Sequence, residues 1–315
     1  MGGGYSSGRS ALYYILLDIR ERFNVTTVMV PDYLCSSILS AVNKAGFNYE
    51  FYHLTDALVL DNESFSNQYD KSKAVLVINY YGLQTLDQPY SFIKSLNENA
   101  IIIEDDVQAY YEFIQESTFP DYKFTSLRKT FDSPDGGLVK TKYSITQPQK
   151  PNTFHQYKVA SGILKEFRNK GFYDDDIYLE LSHSGETMID SEMELGISDV
   201  ACSVFDNTDV LKVSSIRKSN ANVICSGLKQ IDINTVISVA DDKTPLFVPI
   251  YLEDRNKVRK AMFQHNIFCP VHWPLDGMPV KKGAEMAEHE LSLIVDQRYT
   301  AVDMNRILNI LADNI

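Results

Sequence analysis

The chain has 315 residues, of which 44% are hydrophobic and 23% are charged, as is typical of a folded globular protein. Its net charge of −12 argues against a nucleic-acid-binding surface over the whole protein, because such surfaces need an excess of Lys and Arg. Apolar runs such as Val75–Ile78 and Ile101–Ile103 are too short to span a bilayer, and no secretory signal is visible at the N-terminus. We therefore expect a cytoplasmic protein with neither a nucleic-acid nor a membrane partner.

The first two-thirds of the chain reads as alternating helices and strands. Apolar residues spaced at about 3.6 positions predict the helices, and continuous apolar runs predict central parallel strands that helices cover on both faces. The predicted elements, in chain order, are a helix over Ser10–Phe23, a strand over Val25–Val30, a helix over Leu34–Ala45, a strand over Ala74–Tyr80, a helix over Pro89–Asn99, and strands over Ala100–Glu104, Tyr122–Ser126 and Gly137–Thr141.

The remainder of the chain is less regular and then becomes periodic again. Between residues 147 and 199 the pattern is poor, and both Asp174–Asp176 and Ser182–Asp190 are expected to be solvated loop. The later predictions are a helix over Val210–Leu228, a strand over Pro245–Leu252, and helices over Arg255–His265 and Asn305–Leu311. Length and pattern together predict an α/β protein with a large domain over 1–205, containing a mostly parallel sheet flanked by helices, and a smaller C-terminal α+β domain over 206–315.

Candidate site residues were sought just after each strand, because ligands of open α/β sheets bind outside the carboxyl ends of the strands. A Gly- and Ser-rich turn, Ser6–Leu12, leads directly into the first helix, where unpaired amides and the helix dipole suit a phosphate. An ordinary helix N-cap would give the same pattern.

Two further segments suit a cofactor that acts as an electron sink. In Glu104–Gln108 a carboxylate could pair with a protonated ring nitrogen, although a solvated strand end or a magnesium site would also fit. In Ser126–Lys129, which precedes Asp135–Gly137, the lysine could form a Schiff base while the serine holds a phosphate. The alternative for Lys129 is one more surface lysine.

The last candidate is the loop Pro270–Pro274, which contains His272 and Trp273, the only tryptophan. Packing of the second domain would explain this loop equally well. The other histidines and the four widely spaced cysteines show no spacing typical of a metal site, so no metal is expected.

Taken in order, these motifs resemble the DegT/DnrJ/EryC1/StrS family of pyridoxal-phosphate (PLP) sugar aminotransferases, which have the aspartate-aminotransferase fold (PLP-dependent transferase fold type I). The resemblance covers nearly the whole chain. The matching segments are Ser7–Leu12 (phosphate turn), Val30–Tyr33 (corner near the ring), Glu104–Gln108 (ring-nitrogen motif), Ser126–Lys129 with Asp135–Gly137 (Schiff-base lysine), and Asp254-Arg255, His272–Pro274 and Gln297–Tyr299 (small domain).

The resemblance implies a role for each residue. It places Asp105 at the pyridinium nitrogen, Gln108 near the phenolic oxygen, and Lys129 and Asp105 as the catalytic residues of a PLP-binding domain over 1–205. It makes Gly8, Arg9, Ser10, Tyr33 and Ser126 further cofactor contacts, with Thr125 a rival to Ser126 and Cys35 a rival to Tyr33. His272 and Trp273 are expected to contact the substrate, and the candidates for local positive charge are Arg9, Arg128, Arg217 and Lys218.

The implied reaction is transfer of an amino group, with glutamate as the expected donor, to a nucleotide-linked keto-sugar in polysaccharide or amino-sugar biosynthesis. A homodimer is expected by the same analogy. Two alternatives stay open at this point: a PLP-dependent sugar dehydratase, which the presence of Lys129 disfavours, and a non-catalytic relative with a structural or regulatory role.

Overall fold

The computed structural model describes residues 4–172, 176–273 and 280–315. Asp174 and Asp175 of the expected loop and Pro274 of the His272–Pro274 segment lie outside these ranges. Within them the chain forms, in order, α1 (Gly8–Phe23), β1 (Thr27–Pro31), α2 (Ser36–Lys44), β2 (Asn48–Tyr52), α3 (Asn62–Gln68), β3 (Ala74–Ile78), a 3₁₀ turn (Tyr80–Gly82), α4 (Asp87–Leu96), β4 (Ile102–Asp105), α5 (Tyr110–Phe113), β5 (Tyr122–Ser126), α6 (Leu127–Thr130), β6 (Gly137–Thr141), α7 (His155–Asn169), α8 (Ile177–Ser191), α9 (Asp199–Asp206), α10 (Val210–Gln230), β7 (Phe247–Tyr251), α11 (Arg255–Gln264), α12 (Lys281–His289), β8 (Glu290–Ile294) and α13 (Ala301–Ala312).

The main sheet has six strands in the order β2-β1-β3-β4-β5-β6, and β7 and β8 form a second, two-stranded sheet. Strand β3 runs parallel to both β1 and β4, whereas β5 and β6 are antiparallel. The predicted α/β class, with a mostly parallel sheet flanked by helices, is therefore confirmed. None of the helices in the described ranges is both long and apolar enough to cross a membrane.

One secondary-structure prediction is wrong. The segment Ser182–Asp190 is not loop but lies inside α8. Helices α7 and α8 pack against each other, yet α7 buries only Ser161 and α8 buries only Gly185 and Ile189. Because both helices stay largely exposed, their polar faces hide the apolar periodicity that marks a helix in sequence.

The chain divides into two compact units, which we describe separately. The first unit comprises Met1–Thr26, Ser37–Asn48 and Tyr122–Thr208, and the second comprises Thr27–Ser36, Tyr49–Asp121 and Asp209–Ile315. The division into sequence domains over 1–205 and 206–315 stays a prediction.

In the first unit, α1 packs against β5 and β6. The 3.6-residue period predicts an apolar stripe of Ala11, Leu12, Ile15, Leu16, Ile19 and Phe23. All of these are buried except Phe23, which is half-buried. On the same helix, Asp18 accepts a 2.5 Å hydrogen bond from the Tyr122 hydroxyl, which ties α1 to the start of β5. Left-handed Asn24 ends the helix, with its amide bonded to the Arg20 carbonyl.

The second unit has two apolar regions. Every residue of β3 and β4 is buried, as expected for central parallel strands, and the register pairs Ile78 with Asp105 at their carboxyl ends. In the C-terminal part β7 packs against α10 and β8 against α11, α13 packs against both helices, and the shared core includes Val248, Ile250 and Leu293. This arrangement of an antiparallel pair with helices confirms the expected α+β character of the C-terminal part.

Candidate functional site

The Gly- and Ser-rich turn in the first unit forms the N-terminus of α1. Ser7 is the N-cap, and its side chain accepts a 3.2 Å hydrogen bond from the Ser10 amide. Gly8 and Arg9 follow in the first turn, where amides have no acceptor within the helix itself. These amides and the positive end of the helix dipole suit a phosphate group.

The turn rests on the two glycines that follow Asp135. The Gly136 amide donates to the Ser6 carbonyl at 2.9 Å, and Gly137 exchanges two hydrogen bonds with Tyr5, at 2.7 and 2.9 Å. Gly136 has a φ of +112°, which side chains rarely adopt, and a Cβ on Gly137 would lie 2.1 Å from the Ser7 carbonyl oxygen. Both positions therefore require glycine, for conformation at the first and for space at the second.

The predicted lysine segment lies beside the same glycines. The Leu127 amide donates to the Gly136 carbonyl at 3.0 Å, and this contact anchors the start of α6. Ser126 pairs with Gly137 in the β5–β6 register, and its hydroxyl is 3.5 Å from the Gly136 carbonyl. Lys129 is exposed on α6. The first unit thus brings the Ser7–Gly8 turn, Ser126 and the Lys129 helix to one pair of glycines.

Asp135, the acid that precedes these glycines, is bound within the protein interior. It is fully buried and accepts hydrogen bonds from the Ser198 amide at 2.9 Å and from the Ser198 hydroxyl at 2.5 Å. Burial raises the pKa of its carboxyl group despite these two donors. Asp135 therefore links the glycine pair to the N-terminus of α9, where Ser198 is the N-cap.

Two of the predicted phosphate contacts have side chains that are engaged elsewhere. The Ser10 hydroxyl is buried and donates to the Met193 carbonyl at 2.5 Å. The Arg9 guanidinium forms an ion pair with Asp190 at 2.7 Å. The backbone amides of the first turn are thus better suited to a phosphate than these two side chains.

The remaining cation candidates also have partners. In the first unit Arg128 and Lys158 both pair with Glu186, and they hold the pKa of that carboxyl below its usual value although burial opposes this. In the second unit Arg217 is only 2% exposed, donates to the Leu246 carbonyl at 3.0 Å and pairs with Asp296 at 3.2 Å. These contacts make Arg217 part of the core of its unit rather than a surface charge.

In the second unit, Asp105 ends strand β4 and is 5% exposed. Its Oδ1 accepts a 2.8 Å hydrogen bond from the Val107 amide, and this local turn fixes the direction of the carboxylate. The Asp105 carbonyl accepts from the Asn79 amide at 3.0 Å, which holds the ends of β3 and β4 together. Asp105 is thus a fixed, buried carboxylate at the edge of the sheet where ligands bind.

Gln108 supports the 3₁₀ turn that follows β3. Its Oε1 accepts from the Tyr81 amide at 3.1 Å, and Tyr81 itself has a positive φ of 59°. Gly82 packs so closely on this segment that a Cβ there would lie 3.1 Å from the Gln108 carbonyl oxygen. With its oxygen used in this way, Gln108 retains its amide nitrogen as the group that could donate to a cofactor oxygen.

Tyr33, Tyr80 and Trp273 form an aromatic group in the second unit. The Tyr33 ring is fully buried and stacks on Tyr80 with a centroid distance of 5.5 Å, while Trp273 lies 4.9 Å away at an angle of 52°. The Tyr33 hydroxyl donates to the His272 carbonyl at 2.7 Å. These contacts favour packing for Tyr33, and its rival Cys35 is the more exposed of the two.

Sequence reasoning missed two residues that hold His272. The His272 amide donates to Glu290 Oε2 at 2.9 Å, and its Nδ1 lies 2.9 Å from the Ser292 hydroxyl. Ser292 in turn donates to Glu290 Oε1 at 2.5 Å. Both lie on β8, which was not predicted, although the alternation Glu290-Leu291-Ser292-Leu293 is the period-two signal of a half-buried strand.

Metal binding receives no support from the described part of the chain, where no group of three or more His, Cys, Asp and Glu side chains is arranged to hold an ion.

Several solved structures are similar to this chain over nearly its whole length. The sugar aminotransferase CalS13 from Micromonospora echinospora superposes with a TM-score of 0.69 at 15% identity, covering 99% of this chain and 87% of that one. The aminotransferase TlmJ from Streptoalloteichus hindustanus gives 0.70 at 14% identity, with 99% and 85% covered. DesV from S. venezuelae gives 0.69 at 17% identity, with 99% and 84% covered.

The chain has the fold of these aminotransferases. This agrees with the fold that the motif resemblance implied. No family model matches the chain, and no curated protein matches it either. The activity, the cofactor and the substrate are therefore argued below from the residues.

Proposed function

We propose that this protein is a PLP-dependent aminotransferase that acts on a sugar substrate. The observation that carries the proposal lies in the first unit, where the N-terminal turn of α1, Ser126 and the Lys129 helix meet Gly136 and Gly137. A helix N-terminus offers amides to a phosphate, and a nearby exposed lysine offers a primary amine to an aldehyde. PLP carries both of these groups.

The residues present fit the cofactor in two respects. The close approach of Gly137 to the Ser7 carbonyl holds the backbone at the start of α1, whose first-turn amides suit a phosphate. In the second unit Asp105 supplies a buried carboxylate whose direction the Val107 amide fixes. A carboxylate of this kind is the partner that a protonated pyridine nitrogen requires.

Each residue has a specific task in the proposed reaction. When bound, PLP supplies an electron-accepting ring that makes the hydrogen on the carbon beside an amino group acidic. The Nζ amine of Lys129 would hold the cofactor covalently and, once displaced, would carry the proton from that carbon to the cofactor carbon that receives the amino group. Asp105 would keep the ring nitrogen protonated. The amides of Gly8 and Arg9 would hold the phosphate, with Ser126 and Gln108 as further contacts.

The finer parts of the proposal concern substrate and setting. We propose glutamate as the amino donor and a nucleotide-linked keto-sugar as the acceptor, with His272 and Trp273 as substrate contacts. The sugar class draws support from CalS13, a sugar aminotransferase of the same fold. We also propose a cytoplasmic setting, in which the four cysteines, all free and all within the described ranges, would stay reduced.

A homodimer with shared sites is part of the same proposal. Aromatic residues make up 11% of the chain, and such residues are enriched in interface cores. Sedimentation of the PLP-loaded protein should give twice the mass of the 35.8 kDa chain. A monomer that turns over substrate would exclude shared sites.

Transfer of labelled nitrogen tests the activity. The purified protein, loaded with PLP, is incubated with ¹⁵N-glutamate and a panel of nucleotide-linked keto-sugars, and products are identified by mass spectrometry. We expect one acceptor to gain the ¹⁵N label, and the Lys129→Ala variant to give none. Lys165→Ala, which removes an exposed lysine on α7, is the matched control and should retain the activity. Equal labelling by the wild type and Lys129→Ala would refute the proposal, and the absence of label from every acceptor would favour the non-catalytic alternative.

A further inference from the structure

The second unit contains a short chain of polar groups that ends in a buried carboxylate. His272 Nδ1 lies 2.9 Å from Ser292 Oγ, and Ser292 Oγ lies 2.5 Å from Glu290 Oε1. Glu290 and Ser292 are fully buried on β8, and their side chains lie on the same side of that strand because they are two residues apart. Because the Ser292 hydroxyl has a single proton, it can donate to only one of its two neighbours, and the hydrogen bonds in this series run in one direction.

The direction follows from the carboxylate. An ionised Glu290 only accepts hydrogen bonds, so the Ser292 proton points at Oε1. Ser292 Oγ then has only its lone pairs to offer to the imidazole, and His272 must donate from Nδ1. A neutral His272 therefore carries its proton on Nδ1 and leaves Nε2 as an acceptor.

The second oxygen of the Glu290 carboxylate, Oε2, fixes where a proton on this residue can lie. Glu290 Oε2 accepts from the His272 backbone amide at 2.9 Å, and a backbone amide can only donate. A proton or an NH₂ group on the end of residue 290 must therefore lie at the Oε1 position. There it would donate to Ser292, and Ser292 would turn its own proton toward His272 Nδ1.

We propose that Glu290, Ser292 and His272 form a proton relay in which the state of Glu290 selects the tautomer of His272. With Glu290 ionised, His272 is protonated on Nδ1. With Glu290 protonated, the serine hydroxyl is reversed and His272 is protonated on Nε2. When a proton binds at Nε2 from outside, the Nδ1 proton passes to Ser292 and the serine proton passes to Glu290. Nε2 thus changes from an acceptor to a donor while the imidazole stays neutral, and the added proton neutralises Glu290. Glu290 and Ser292 are positioning residues, and they act through His272.

The surroundings allow Glu290 to change state near neutral pH. Burial raises the pKa of Glu290 to about 7, although Ser292, the His272 amide, Arg255 and Tyr81 favour the carboxylate. Tyr33 and Cys269 also interact electrostatically with Glu290. Arg255 donates to the backbone oxygens of Glu290 at 3.1 Å and Ala287 at 2.7 Å and to Asn256 Oδ1 at 3.0 Å, so these contacts leave the Glu290 carboxylate to the relay.

Aromatic side chains hold the imidazole in place. Trp273, Phe247 and Tyr81 have ring centroids 5.0, 5.3 and 5.7 Å from that of His272. A ring held in this way cannot turn over easily to exchange its nitrogens, so the tautomer is set by the serine. For the proposed reaction, and resting on it, the relay would present an accepting Nε2 to a substrate hydroxyl or ammonium group above neutral pH.

Nitrogen NMR of the full chain without substrate tests the relay directly. Two- and three-bond ¹H–¹⁵N correlations distinguish the two neutral tautomers, and His272→Gln identifies the signal of His272 among the six histidines. At pH 8.5 we expect the wild type to show a protonated Nδ1 and Glu290→Gln to show a protonated Nε2. Ser292→Ala should revert to the Nε2–H form usual in water, whereas Ser292→Thr, which keeps the hydroxyl, should retain Nδ1–H.

Tyr81→Phe is the control for general disturbance of the cluster. It removes a hydroxyl that hydrogen-bonds both Glu290 and Ser292 but lies outside the path from Glu290 through Ser292 to His272, so the Nδ1–H form should persist. A wild-type protein in the Nε2–H form, or a Glu290→Gln variant in the Nδ1–H form, would overturn the relay. The wild-type result needs no variant to fold, and the experiment needs neither PLP nor substrate, so failure of the proposed activity would leave it unaffected.

Discussion

Gly137 lies directly against the carbonyl of Ser7, so that a single added carbon would approach its oxygen to 2.1 Å. The Ser7 carbonyl oxygen belongs to the backbone and cannot move away by a change of rotamer, as a side chain can. This relationship joins the start of α1 to the strand that follows the Lys129 segment. It explains in physical terms why a pair of glycines stands at this point in the chain.

Replacement of Gly137 by alanine should therefore damage both stability and phosphate binding. We expect a loss of about 1–3 kcal/mol in the free energy of unfolding, the usual cost of overpacking, together with weaker PLP binding. Urea titration and absorbance titration with PLP measure the two effects. Gly162→Ala is the matched control, because that glycine lies in α7 with nothing within 4 Å of the added carbon, and alanine there should stabilise the helix. Equal stability of the two variants would contradict the packing argument.

Asp105→Asn separates cofactor binding from catalysis. Asparagine keeps the oxygen that accepts from the Val107 amide, so the turn and PLP binding should survive. A neutral amide cannot keep a ring nitrogen protonated, so we expect the transamination rate to fall at least a hundredfold, or about 3 kcal/mol in barrier. Single-turnover kinetics with glutamate measure the rate. Asp241→Asn, a change of an exposed acid in the same unit, should leave it unchanged; a near-normal rate for Asp105→Asn would assign the role to another acid.

The buried Glu290 should make stability depend on pH. Burial raises its pKa from 4.5 to about 7 in the folded protein, so the folded state binds the proton more tightly than the unfolded chain does. Stability from this group is present below about pH 4.5 and is lost as the pH rises toward 7, by at most about 3 kcal/mol.

Glu290→Gln should remove that loss. The free energy of unfolding of the variant relative to the wild type should increase between pH 5 and pH 8, as measured by urea titration at both values. Other titrating groups cancel in the difference. Glu288→Gln, a change of an exposed acid on α12, is the control and should follow the wild type. A difference that stays constant with pH would show that Glu290 is ionised to the same degree in both states.

Those parts of the fold that have strong local sequence patterns could be predicted from the sequence alone. Continuous apolar runs predicted β3 and β4, because central parallel strands are buried on both faces. The apolar spacing predicted α1 and most of its buried face, although Phe23, the last residue of the stripe, is only half-buried. The glycines at 136 and 137 marked the turn because their backbone and packing tolerate no other residue.

Other features depend on contacts that no local pattern contains. The Ser10 hydroxyl bonds to Met193 and Arg9 pairs with Asp190, partners more than 180 positions away in the sequence. The role of Arg217 as a buried pair with Asp296 could not be distinguished in sequence from a surface charge. Helix α8 was missed because its exposed faces are polar, and with β8 unpredicted the contacts of His272 with Glu290 and Ser292 were missed as well.

The identity of the modified lysine is the most direct test of the proposed function. The PLP-loaded protein is reduced with borohydride, digested and mapped by mass spectrometry. Loss of the visible absorption band, with the pyridoxyl mass on Lys129 and on no other lysine, is the result that the account predicts. A pyridoxyl group on a different lysine, or a protein that binds no PLP covalently, would contradict it.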